Sequence, residues 1–112
     1  MGDRANIVVK KGTCDQHEQV CLYTHCNGSE LKSTLQAALI RGKDRWHDFQ
    51  YLTRIIFCEM IKDDWQSTTG FGITQNIWGG CDNVIYVDVC KQEVTLPSGD
   101  RYDFNDFNDF IL

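Results

Sequence analysis

The run Tyr23-Thr24-His25-Cys26-Asn27-Gly28-Ser29 holds the densest set of chemically capable side chains in this sequence. His25 is a base, and Cys26 and Ser29 are nucleophiles once a base activates them. The run ends where a helix is expected to start, and backbone N–H groups at a helix N-terminus attract anions. Neighbouring residues on a strand face opposite ways, so His25 and Cys26 meet only if the strand stops between them. Two readings follow. Arg4, Tyr23, His25, Ser29, Arg54 and Glu59 together would form a pocket for a small anionic ligand such as a signalling nucleotide. Alternatively, His25 with Glu59 or Asp88 would make a small hydrolase, provided the groups converge to about 3 Å.

Glu59 stands out because it sits in Ile55-Ile56-Phe57-Cys58-Glu59-Met60-Ile61. A carboxylate on such an apolar helix must find a partner or titrate upward. Lys62 and Lys43 are the expected partners on a solvent-facing strip. The six cysteines, Cys14, Cys21, Cys26, Cys58, Cys81 and Cys90, contain no C-x-x-C pair. They read as reduced thiols, several in apolar element interiors. Cys14, His17, His25 and Cys26 match no recognised metal spacing, and no cofactor is expected. Ser67-Thr68-Thr69-Gly70-Phe71-Gly72 lacks phosphate-loop spacing. Its glycines are expected to admit a neighbour such as Trp65 or Trp78.

Charge is divided along the chain. Residues 1–62 carry nine Lys/Arg against seven Asp/Glu, whereas residues 63–112 carry two against nine. Asp100, Asp103, Asp106 and Asp109 recur every third residue, but without the glycine and glutamate of a calcium loop. With Asp63, Asp64 and Asp82 they define a candidate surface for a basic protein partner. The same negative potential argues against direct binding to nucleic acid.

These groups need a scaffold. Ala5–Lys10 and Val20–His25 read as strands of a hairpin with a long polar tip. Ser29 is the expected N-cap of a helix whose stripe is Leu31, Leu35, Ala38 and Leu39, closed by Gly42. Asp48 caps a second helix with Phe49, Leu52, Ile56 and Met60 facing the sheet. Beyond it the period shifts to two. Phe71–Ile77, Val84–Val89 and Glu93–Leu96 read as strands, and Phe104, Phe107 and Phe110 mark a short C-terminal helix. The order β-β-α-α-β-β-β-α predicts one α+β domain spanning residues 1–112. Its architecture is a two-layer sandwich with a mainly antiparallel sheet of about five strands.

Met1-Gly2-Asp3-Arg4-Ala5-Asn6-Ile7, Tyr23-Thr24-His25, Tyr51-Leu52-Thr53-Arg54-Ile55-Ile56-Phe57-Cys58-Glu59-Met60 and Thr69-Gly70-Phe71-Gly72-Ile73 resemble a family of small phage and bacterial proteins of unassigned activity. Relatives of that kind carry Trp where this chain has Cys26. The resemblance implies a phage setting and hence interference with host immunity. The function expected is that of an accessory protein, comparable to an anti-CRISPR protein, which binds and inhibits a host defence component through its acidic surface. The longest apolar run, Ile55-Ile56-Phe57-Cys58, is far too short to span a bilayer, so the sequence itself predicts a cytoplasmic protein without a membrane segment, in the host cytoplasm if phage-encoded; it leans toward a non-enzymatic protein and is compatible with a homodimer.

Overall fold

A computed structural model describes residues 3–12, 15–76 and 83–109, with the backbone alone at 15–17. It is an α+β fold. β1 (Ala5–Gly12) and β2 (Asp15–Thr24) form a hairpin, followed by α1 (Leu31–Arg41) and α2 (Phe49–Ile61). The chain continues through β3 (Phe71–Thr74), β4 (Val84–Asp88), β5 (Glu93–Thr95), β6 (Arg101–Asp103) and α3 (Phe104–Asp109). The six strands lie in the order β3-β2-β1-β4-β5-β6. The β1–β4 pair is parallel, and the other four neighbouring pairs are antiparallel.

Two expectations change. The sixth strand, β6, was not apparent because Arg-Tyr-Asp has no apolar alternation; it is held by pairing with β5. The hairpin pairing runs farther than expected, as far as Gly12 and Asp15. Polar residues occupy that extension, so propensity alone read it as loop.

All three helices cover one face of the sheet. Ile7, Val9, Leu22, Ile85, Val87 and Val94 meet Leu35, Leu39, Leu52 and Ile56 there in a single buried cluster. Asp48 caps α2 as expected, accepting the Tyr51 N–H at 3.1 Å. The short helix α3 docks on its own domain. Phe104 and Phe107 are fully buried, and the Phe104 ring meets Trp46 edge-on at 5.2 Å. Trp46 donates its indole N–H to the Leu39 carbonyl at 2.9 Å, which ties the α1–α2 loop into the same core. Phe110 lies outside the described residues.

The opposite sheet face carries Asn6, Val8 and Lys10 of β1, with Tyr86 and Asp88 of β4 and Glu93 and Thr95 of β5 in register beside them. A second, smaller buried cluster of Val8, Cys21 and Val84 lies here, and no helix residue joins it. Cys21 Sγ donates to the Gln75 carbonyl at 3.5 Å, so the chain leaving β3 passes over this side. Among the described residues, no helix is long and apolar enough to cross a membrane.

Candidate functional site

At the lower end of the helix-free face, β2 delivers Tyr23 and His25 to one cluster. The Tyr23 hydroxyl and His25 Nδ1 lie 3.2 Å apart, and the His25 backbone N–H donates to Gly70 O at 2.9 Å. The Thr24 hydroxyl accepts the Asn27 N–H at 3.1 Å, closing the turn that follows. Arg4 is exposed at the start of β1, next to the Ala5–Thr24 pair.

The expected anion site at Ser29 is already filled by the protein. Ser29 does not cap α1; it lies in a 3-10 turn, Gly28–Glu30, with no side-chain cap of its own. Asp3 does the work instead. Its Oδ2 accepts the Ser29 N–H at 2.7 Å, and its carbonyl accepts the Gly28 N–H at 2.8 Å. A carboxylate is favourable at that positive helix end. The approach is close enough that a Cβ on Gly28 would stand 2.7 Å from the Asp3 carbonyl, so only glycine fits.

The remaining pocket candidates are elsewhere. Arg54 lies on α2 with Arg45, Tyr51 and Ile55 around a shallow surface cavity of about 280 Å³. Glu59 is also on α2, its side chain only 9% exposed, bridging Arg41 at 3.3 Å and Lys62 at 3.0 Å. Lys62 was the expected partner; Arg41 replaces Lys43 because α1 ends beside α2. Arg54 and Glu59 therefore belong to the helix layer, whereas Tyr23 lies on the helix-free face; Glu59 lines a groove with Asn27 and Phe71 on the helix side. The hydrolase arrangement does not assemble either. Thr24 pairs with Ala5 and Asp88 with Lys10, five residues farther along β1, which is about 17 Å at a strand's rise. Asp88 Oδ1 instead accepts the Lys91 N–H at 3.0 Å and closes the β4–β5 turn.

The aspartates fall into two groups. Asp63 and Asp64 line a groove of about 410 Å³ with Asn27, Glu30, Lys62 and Phe71, by the β3 edge. Asp100, Asp103, Asp106 and Asp109 belong to β6, its preceding turn and α3, at the other edge. Five strand spacings separate these edges, about 24 Å. The sequence had grouped them as one surface; the sheet order divides them. Asp82 lies outside the described residues.

At the β6 end the register adds Glu93, a residue the sequence reading missed. Asp88 pairs with Glu93, and Glu93 with Asp103, so three carboxylates stand side by side on three adjacent strands. Only the register shows this, since the short strand β6 was unseen. Beside the row lies a cavity of about 370 Å³ lined by Lys10, Tyr86, Lys91, Thr95 and Arg101 together with Asp88 and Glu93. Lys10 Nζ sits 4.8 Å from the centre of the Tyr86 ring. Among the described residues no lysine or arginine forms an ion pair with any carboxylate of this end. No three His, Cys, Asp or Glu groups among the described residues converge to hold a metal ion. Among the described residues nothing lies within 4 Å of where a Cβ on Gly70 or Gly72 would stand, so Trp65 does not pack there; Trp78 lies outside the described residues, and Gly70 serves a turn at φ +100°. Cys21, Cys26, Cys58 and Cys90 are free thiols, and burial pushes the Cys21 thiol up.

No protein-family model, curated protein or solved structure matches the chain.

Proposed function

We propose that this chain is a non-catalytic binding protein that engages a basic protein surface through the acidic β4–β5–β6–α3 end of its sheet. One observation carries the reading: the in-register row Asp88, Glu93 and Asp103. Like charges directly opposite each other across a ladder are destabilising, by roughly 0.2–1 kcal/mol per pair. Two such contacts in succession, with Lys10 opposite Asp88 but no ion pair to the row among the described residues, make sense when a cationic partner supplies further positive charge. Exposed Asp106 and Asp109 on α3 extend the same potential around the edge. The likeness to small phage and bacterial proteins makes a host defence protein the proposed class of partner, inhibited by occlusion of its basic surface in the host cytoplasm.

The Asp103→Asn/Asp106→Asn/Asp109→Asn variant tests this in pull-downs from host lysate at low and moderate salt. Asn at 103 still accepts the Asp106 N–H, as Asp103 Oδ1 does at 2.7 Å, so α3 keeps its cap. Capture that weakens and loses part of its salt dependence supports the proposal. Unchanged capture by a folded triple variant removes it.

A further inference from the structure

We propose that the outer edge of β3 accepts an extended, basic peptide segment of a partner protein as a seventh strand, independently of the acidic β6 end. Among the described residues β3 is the outermost strand of the sheet, paired on one side only. The His25 N–H donates to Gly70 O, which fixes the alternation of the ladder. Gly72 and Thr74 therefore direct their backbone groups to β2, and Phe71 and Ile73 direct theirs outward. An open edge of this kind is normally guarded by charge, proline or a covering element. Here no residue from Trp65 to Cys81 is charged or is proline. The opposite edge strand, by contrast, carries Arg101 and Asp103 and leads directly into α3. Two large apolar side chains lie exposed along this stretch, Ile73 at 60% and Trp65 at 68%.

The neighbouring groove decides what kind of strand fits. Its lining joins Phe71 of β3 to Glu30, Asp63 and Asp64. Glu59 is committed to Arg41 and Lys62, but Glu30, Asp63 and Asp64 make no ion pair among the described residues. A peptide running along β3 places alternate side chains on the helix side, next to Phe71 and Ile73. Apolar residues there cover Ile73, and a lysine or arginine beyond them reaches the carboxylates. A second copy pairing through its own β3 brings no such cation, because residues 65–81 contain no lysine or arginine.

The test is a titration of ¹⁵N-labelled protein with a synthetic peptide in which every second residue is threonine and the residues between them run valine, valine, lysine, so that valines and lysine share one strand face, read by amide shifts. Saturable shifts are expected at 71–74 and at Glu30, Asp63 and Asp64, with a valine–glutamate peptide binding about tenfold more weakly. Ile73→Pro removes an outward N–H without touching the β2 ladder, and proline is tolerated on an edge strand. It should abolish the β3 shifts while the remaining spectrum persists. Ile73→Lys, which keeps the backbone donor but repels the basic peptide, is the second variant and should weaken binding. The proposal is overturned if the peptide leaves 71–74 unmoved, including when it shifts only Asp100–Asp109. It is equally overturned if sedimentation without peptide shows a dimer that Ile73→Pro dissolves, since the edge would then belong to a second copy.

Discussion

The Asp3 carboxylate closes the N-terminal end of the α1 region from 26 residues away, accepting the Ser29 N–H at 2.7 Å. Hydrogen bonds from the Ser29 side chain first, and from its backbone N–H second, hold the Asp3 carboxyl below the usual carboxylate range. A depressed folded-state value means the contribution is present above the carboxyl's unfolded value. It is lost as pH falls through the folded value. Asp3→Ala should therefore lower Tm at neutral pH, and the gap from the parent should close on acidification. Thermal melts over an acid series check this; a gap that stays constant down to strongly acid pH would refute it.

Glu59 links the two long helices through Arg41 and Lys62, and Arg41 also donates to the Ile55 carbonyl at 3.2 Å. Both cations are more than half exposed, so screening limits the value of the bridge. Glu59→Gln should cost about 1 kcal/mol, less in high salt. Lys62 is raised above the usual lysine value, chiefly by its hydrogen bond to Glu59. That part of the coupling is complete below the unfolded lysine value and disappears as pH rises through the folded one. Denaturant melts of Glu59→Gln, Lys62→Met and the double variant would show no coupling energy if the bridge were idle.

Trp46 and Phe104 join the first half of the chain to its last helix, edge to face at 5.2 Å. Phe104 is 1% exposed, and removing it leaves a cavity the size of a ring. Phe104→Ala should cost about 3–5 kcal/mol, a large share of the roughly 5–15 kcal/mol available to a domain. Tryptophan fluorescence follows the loss directly, because Trp46 gains solvent as α3 releases. A variant with parent-like melts and an unshifted emission maximum would mean that α3 contributes little.

How much of this was readable from residues alone depends on the range of the interaction. The helical stripes Leu31/Leu35/Ala38/Leu39 and Leu52/Ile56/Met60 are buried as their spacing implied. The Asp48 cap was legible too, because its partner is three residues away. Long-range pairings were not. Nothing near Ser29 signals that Asp3 caps it, and nothing near Arg41 signals Glu59. The three-residue strand β6 exists because β5 offers it hydrogen bonds, so its Glu93–Asp103 contact could not be read beforehand. The acidic half of the chain was visible in composition; its division between two sheet edges depends on strand order, which composition does not encode.

Gln92 holds φ at 55°, the only described residue other than glycine with a positive φ. It closes the β4–β5 turn, and its carbonyl accepts the Phe104 N–H at 2.9 Å. A side chain in the left-handed region is strained by about 1–2 kcal/mol, part of which glycine returns through its greater unfolded-state freedom. Gln92→Gly should accordingly stabilise the fold by about 0.5–1 kcal/mol. Thermal and denaturant melts decide it, and a lower Tm would mean that the Gln92 side chain makes a contact worth more than its strain.

Glu93 connects fold to function most directly, since it faces Asp88 on one side and Asp103 on the other. Replacing it with glutamine keeps the shape and removes both like-charge contacts. Glu93→Gln should raise stability by roughly 0.5–1 kcal/mol at low salt, with the gain fading as salt screens the row. If the row is a recognition surface, the same substitution weakens capture of the basic partner, mostly by slowing association. Stability and binding then move in opposite directions from the loss of one negative charge. A variant that gains stability and binds as well as the parent would leave the carboxylate row without a role in recognition.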